Sequence, residues 1–310
     1  MPKIVTVTFS PSIDKSTTVK MLIPEKKLKC STPKSEPGGG GINVARVLKK
    51  LGTDAIAVFP SGGYTGKFFN QLLEKENVPS VIIPSQQETR ENFVIRDEST
   101  GQQFRFGMPA NELSETEWKA CLEAVENIEG IDFIIASGSL PPGVPVSIFG
   151  KLAEISKRKK AKFIVDTSGP ALKKAMAHEI FMLKSNLSEL AYLSGTKKMP
   201  VSEAEQAARK ILTTGHCQII VVSLGEQGAI LVTRNQVFRA KAPKIITKST
   251  VGAGDSMLAG IVHALANGKS LKASLQFGIS CGTAATMNYG TELCHVEDAE
   301  SLFKTIRDSI

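Results

Sequence analysis

The feature that most constrains the fold of this chain is an alternation of short strand-like runs with amphipathic stretches. Strand-like runs fall at 4–9, 55–59, 133–136, 163–166, 180–183 and 219–222, and residues 42–51, 66–76 and 146–159 repeat apolar side chains at helical spacing. Runs too short for helices, separated by helices, predict a mostly parallel sheet covered by helices, an α/β fold. Two stretches break the rhythm. Residues 15–36 are rich in Thr, Lys and Pro, and 92–96 with 103–107 read as a hairpin turning at Ser99, Thr100 and Gly101. Together, about 15–36 and 87–108 look like a small β lid standing off the sheet. No repeat or linker divides the chain, so 1–310 is expected to be a single domain, and 42% hydrophobic content is enough for its core.

The net charge of +8 raises nucleic acid as a ligand, but the lysines are scattered and the compact run at 157–160 reads as the solvated end of a helix. Aromatics make up 6% with one Trp, and no basic stripe is interleaved with rings as single-strand platforms require, so no nucleic-acid partner is expected. A small anionic substrate suits the charge better. Cys30, Cys121, Cys217, Cys281 and Cys294 are odd in number and lack CxxC spacing, which predicts neither a zinc knuckle nor a disulfide framework. The opening MPKIVTVTFS lacks the apolar run and cleavage site of a signal peptide, so a cytoplasmic location is expected. Residues 274–291 are uncharged but full of Ser, Gly, Thr and Asn; they predict a buried helix near a ligand, with no membrane partner.

The chemistry concentrates at 249–256, STVGAGDS, where a glycine turn meets one carboxylate at a helix start. Met257, Leu258, Ile261, Val262 and Leu265 recur at helical spacing after it, so the amides of Gly252, Ala253, Gly254 and Asp255 point outward, ready for an anion. Asp255 stands where it can take a proton from an attacking hydroxyl while those amides carry charge on a transferring phosphoryl group. Taken alone, GAGD has an acidic cap on a glycine-started helix as its alternative reading. In EPGGGGINVA at 36–45, four glycines precede a helix and let backbone approach a ligand closely, with Asn43 just inside it. The spacing is neither GxGxxG nor GxxxxGK[ST], which weakens dinucleotide and Walker readings. Asp14 follows the first strand and taken alone reads equally as a turn aspartate.

PSID at 11–14, PGGGGINVA at 37–45, SGSLPPG at 137–143, KSNLSE at 184–189, SLGEQGA at 223–229 and STVGAGDS at 249–256 occur in the order found in the PfkB, or ribokinase-like, carbohydrate kinases. The resemblance spans nearly the whole chain. Through PEKKLKC at 24–30 and MNYGTELC at 287–294 it is most similar to the branch acting on phosphorylated ketohexoses. It implies a ribokinase-like three-layer α/β/α fold with a mostly parallel central sheet and a β lid. Phe93, Ile95, Phe104 and Phe106 lie on strand edges of that lid that need covering, which predicts a homodimer through it.

Carried over by residue, the resemblance makes Asp255 the catalytic base, Gly252, Ala253 and Gly254 the anion hole, and Lys27 a lid lysine reaching transferring phosphates. Lys26 and Lys29 beside it make a solvated charge run the alternative. Asp14, Gly39 and Asn43 match contacts to sugar hydroxyls, and Arg90 and Ser139 match groups around the acceptor sugar. Arg105 shares the lid hairpin, and guanidinium suits an existing phosphate. Lys184, Asn186, Ser223, Gly225, Gly228 and Thr283 match the ATP site. Glu189, three residues beyond Asn186 and on the same face of an expected helix, would organise Mg²⁺ through water. Ser249, Val251, Ala285, Asn288, Gly290 and Glu292 match a loop for a monovalent cation such as K⁺, held mostly by backbone carbonyls. The chain departs from the pattern at Ser185, where proline is usual after the lysine, and at Glu292, where the resembled sequences carry arginine.

The resemblance therefore implies ATP-dependent, Mg²⁺-assisted phosphorylation of a ketohexose phosphate, with fructose 6-phosphate giving fructose 1,6-bisphosphate as the leading expectation. Tagatose-6-phosphate kinase and 1-phosphofructokinase activities are the alternatives. A catalytically silent sugar-phosphate sensor on the same fold is a rival from another class, disfavoured by the intact GAGD. A dinucleotide-dependent oxidoreductase is disfavoured by the missing GxGxxG.

Overall fold

The computed structural model of the chain describes residues 3–308; residues 1–2 and 309–310 of the expected domain lie outside the described residues. The chain begins with β1 (Lys3–Val7), β2 (Ser12–Val19), β3 (Lys34–Gly38), α1 (Gly40–Lys50), β4 (Ala55–Ser61), α2 (Gly63–Lys75), β5 (Ser80–Pro84), β6 (Arg90–Asp97) and β7 (Gln103–Phe106). It continues through α3 (Glu115–Asn127), β8 (Ile131–Ser137), α4 (Ile148–Lys159), β9 (Lys162–Asp166), α5 (Gly169–Ala175), β10 (Ile180–Asn186), α6 (Leu187–Ser194) and α7 (Ala204–Leu212). β11 (Cys217–Ser223), β12 (Ala229–Thr233), β13 (Val237–Ala240), α8 (Ala253–Ala266), α9 (Leu271–Thr286) and α10 (Val296–Asp308) complete it.

Among the described residues, nine strands form one sheet in the order β13-β12-β11-β10-β9-β8-β1-β4-β5. It is parallel from β11 through β5 and antiparallel at β12 and β13. Successive strand side chains face opposite ways, and both faces are apolar. Ile4, Phe133, Ile135, Ile219 and Val221 pack with α1, α2, α8, α9 and α10. Their neighbours Val5, Ile134, Ala136, Ile220 and Val222 pack with α3 to α7. That double burial explains why the strands read as short apolar runs, and it gives the three layers the resemblance implied.

The smaller sheet, ordered β3-β2-β6-β7, contains the expected hairpin, with Phe93 opposite Phe106 and Ile95 opposite Phe104. β2 runs parallel to β6, a long-range pairing that no local turn signal announces. The helix expected from 42 starts at Gly40, because Gly39 adopts a left-handed φ of 112° and turns the chain into it. The helix expected to run to 291 stops at Thr286, and residues 287–291 turn back instead. Residues 157–159 end α4 as a basic turn, with Lys157 and Arg158 paired to Glu179 and Glu126 at the surface. Among the described residues no helix is long and apolar enough to cross a membrane.

Candidate active site

The C-terminal ends of the parallel strands form one rim, the position at which open α/β sheets hold ligands. Register places Ser137 of β8 beside Asp166 of β9, and Asn186 of β10 beside Ser223 of β11. Buried Lys184 Nζ lies 3.2 and 3.1 Å from the two carboxylate oxygens of Asp166. Burial pulls the Lys184 pKa down, but Asp166, Asp255 and Glu189 together outweigh it and hold the ammonium above its ordinary value. Gly254 leaves room for that ammonium: a Cβ there would stand 2.8 Å from Nζ.

Asp255 sits in the first turn of α8, behind Gly252, which caps the helix in the left-handed conformation. The first intrahelical amide is that of Ser256, donating to Gly252 O at 2.8 Å, so the amides of Ala253, Gly254 and Asp255 precede the ladder and can face an anion. Asn43 Nδ2, from α1, donates to Asp255 Oδ2 at 2.9 Å. Burial, with Asp166 adding repulsion, pushes the Asp255 carboxyl up to about 6, against Asn43 and Lys184, which favour the charged form. A carboxylate that ionises just below neutral pH has the acidity of a general base.

Close enough to repel the Asp255 charge, the buried Asp14 carboxylate of β2 accepts hydrogen bonds from Ser12 Oγ at 2.8 Å and Asn92 Nδ2 at 2.9 Å. Burial raises its pKa, opposed by those two bonds and by Arg90 and Arg46. Arg90, opening β6, donates to Met108 O at 3.1 Å and Ser10 O at 3.4 Å, while its buried Nε has no partner. It borders a small cleft lined by Pro11, Ser61, Thr89, Asn111 and Pro141. Ser139 is exposed on the loop after β8. The other two cations of the expected phosphate arm are not gathered here. Lys27 is exposed between β2 and β3, and Arg105 Nη2 bonds Thr250 Oγ1 at 2.5 Å, on the loop entering α8.

Asn186 lies at the N-cap of α6, one step outside the helix on which it was expected. It and Glu189 form a capping box: Glu189 N donates to Asn186 Oδ1, and Asn186 N to Glu189 Oε2, both at 2.9 Å. The half-buried Glu189 carboxyl is raised first by burial and then by Asp166. Leu224 N donates to Gly228 O at 2.8 Å, closing the turn that carries Ser223, Gly225 and Gly228, and Thr283 is buried on α9.

The loop expected to hold a monovalent cation folds onto itself. Ser249 Oγ donates to Gly290 O at 2.7 Å, Val251 N to Ser249 Oγ at 3.2 Å, Asn288 N to Ala285 O at 3.3 Å and Asn288 Nδ2 to Leu293 O at 3.0 Å. The Glu292 carboxylate pairs with Lys34 and His295. The lid sheet leans on this loop. Thr291 Oγ1 donates to Glu36 Oε2 at 2.7 Å, and the Arg96 guanidinium lies 4.4 Å from the centre of the Tyr289 ring. Among the described residues, no group of three or more His, Cys, Asp or Glu could hold a metal ion.

Sequence reasoning missed Asp166 and Asn92. A carboxylate closing the apolar run KFIVD at a strand end was the available signal for Asp166, whereas Asn92 depends on the unannounced β2–β6 pairing.

Known proteins resemble this chain over nearly its whole length. A family profile described as "pfkB family carbohydrate kinase" matches residues 7–299. The chain is 40% identical over 304 residues to the ATP-dependent 6-phosphofructokinase isozyme 2 of Escherichia coli, covering 98% of each. It is 32% identical to a 1-phosphofructokinase of Borreliella burgdorferi, covering 98% of this chain and 97% of that one. The crystal structure of phosphofructokinase-2 from Escherichia coli in complex with potassium superposes with a TM-score of 0.94 at 39% identity, covering 99% of this chain and 100% of that chain.

Proposed function

This chain belongs to the pfkB family of carbohydrate kinases, and within it we propose that the protein transfers the terminal phosphoryl group of ATP to fructose 6-phosphate, giving fructose 1,6-bisphosphate. The observation that carries the proposal is the gathering of Asp255, held by Asn43, with Asp14 close enough to act on its charge and Arg90 close enough to act on that of Asp14. It offers a base for one end of a furanose, hydroxyl contacts along the ring, and a cation towards the end that already bears a phosphate.

In this reading the sugar's free primary hydroxyl gives its proton to Asp255 as its oxygen attacks phosphorus, and the bond to the ADP oxygen breaks in line. The amides of residues 253–255 and the Lys184 ammonium carry negative charge on the transferring group without rearranging. Asn43 holds the Asp255 carboxylate in aim. Closing the lid excludes water, which would otherwise compete as acceptor.

Glu189, with Asp166 nearby, suits Mg²⁺ held through water and nucleotide phosphates. The metal would neutralise phosphate charge there. The 249–251 and 285–292 segments suit K⁺ through backbone carbonyls, with the Glu292 side chain turned to Lys34. We also propose a homodimer through the lid, supported by Phe104 and Phe106, 38% and 44% exposed on the edge strand β7, and a cytoplasmic location.

The related 1-phosphofructokinase keeps fructose 1-phosphate as the second reading. A coupled assay of fructose 6-phosphate, tagatose 6-phosphate, fructose 1-phosphate and fructose separates them. The expected order of kcat/KM is as written, with free fructose about 10²–10⁴-fold below the best substrate because charge-assisted hydrogen bonds go unmade. Equal use of free fructose, or a preference unchanged in Arg90→Ala, overturns the proposal.

A further inference from the structure

Asn92 lies on β6 directly beside Asp14 of β2 in the parallel register, and two residues from Arg90, so it shares a strand face with both. Its Nδ2 donates to Asp14 Oδ1 at 2.9 Å, and its Oδ1 accepts from Met108 N at 3.1 Å. Met108 O in turn accepts from Arg90 Nη1 at 3.1 Å. These bonds make a continuous path from carboxylate to guanidinium through the backbone of one residue beyond the lid hairpin. The two bonds also fix which way the amide points, because a reversed amide would set oxygen against the Asp14 carboxylate.

We propose that Asn92 is a positioning residue that couples the sugar-hydroxyl contact at Asp14 to the phosphate contact at Arg90, through the backbone of Met108. The inference rests on the reading of Asp14 and Arg90 as contacts to a sugar phosphate. A carboxamide suits the position because it donates to one partner while accepting from the other; alanine does neither, and aspartate only accepts. With the path intact, Asp14 has one orientation and Arg90 is braced for the phosphate. Breaking the path releases both together, so recognition of ring and phosphate weakens in one step.

The test is calorimetric titration of fructose 6-phosphate without nucleotide, with steady-state kinetics and thermal unfolding, in wild type, Asn92→Ala, Arg90→Ala and the double variant. Asn92→Ala is expected to raise both Kd and KM about tenfold, as for one charge-assisted hydrogen bond, with kcat within about twofold. In the Arg90→Ala background it should add less than about threefold, because the path is already broken. Asn92→Asp keeps the volume and the acceptor for Met108 N but sets a second carboxylate against Asp14, so it should lose at least as much and stands in if the alanine variant does not fold. No binding by wild type overturns the substrate reading and this inference with it. Normal binding by wild type with Kd in Asn92→Ala within twofold of it overturns the inference alone. So do fully multiplicative effects of the two substitutions, or a tenfold fall in kcat at unchanged KM.

Discussion

Replacing Asp255 by Asn should abolish most of the activity and at the same time stabilise the fold at neutral pH. The carboxyl titrates at about 6 in the folded protein against an ordinary 3.8. A tenfold change in proton affinity corresponds to about 1.4 kcal/mol, so holding the group ionised at pH 7.5 costs up to about 3 kcal/mol of folding free energy. Asp255 is partly open to solvent and Asn43 already bonds it, which reduces the expected gain in Asp255→Asn to roughly 1–3 kcal/mol, or about 2–5 °C in Tm for a chain of this size. The direction with pH follows from the folded-state value being the higher one. Protonation stabilises the fold fully below about pH 4, and that contribution is lost as pH rises through about 6, so the advantage of the amide is greatest above pH 6 and disappears near pH 4. Urea unfolding of both proteins at pH 4.5, 6 and 7.5, beside kcat at saturation, makes the test. The expected kcat loss is roughly 10²–10⁴-fold. A variant no more stable than wild type at pH 7.5, a gain independent of pH, or more than half of wild-type kcat would refute the reasoning.

The base must be ionised, so kcat should fall about tenfold per pH unit below about 6 and level off above it; a flat profile between pH 5 and 7 would count against Asp255. Asp166→Asn removes the largest repelling charge and frees Lys184 to favour the Asp255 carboxylate, so the inflection should move to lower pH; an upward move would contradict the assigned cause. Lys184→Met leaves Asp166 buried without its cation and should cost about 3–5 kcal/mol in urea unfolding, a loss under about 1 kcal/mol being the refuting result. Light scattering should give a dimer for wild type and a monomer when Phe104 and Phe106 are both replaced by Asp, whereas a fully active wild-type monomer at micromolar concentration would remove the lid interface.

The sheet was legible because its strands are buried on both faces, so Ile134 and Ile135 could be placed as core without knowing which helices cover them. Asp255 was legible because a glycine turn before a helix leaves a local trace. What the sequence hid was long-range pairing. Asn92 looks like any polar residue in a hairpin until β2 lies parallel to β6 and brings Asp14 beside it. Asn186 and Glu189 showed a helical spacing, but a capping box has that same spacing one step earlier, and only the backbone distinguishes them. Arg105 was assigned by its hairpin neighbours, and its direction depends on Thr250, which is far away in sequence.

The most direct measurement is the product itself: purified protein with Mg²⁺, K⁺, ATP and fructose 6-phosphate, followed by phosphorus NMR. The account predicts one new primary phosphate ester on the sugar for each ADP released, with the original phosphate ester unchanged, and neither signal from Asp255→Asn on the same timescale. ADP released without fructose 1,6-bisphosphate, or bisphosphate formed equally well by Asp255→Asn, would contradict it.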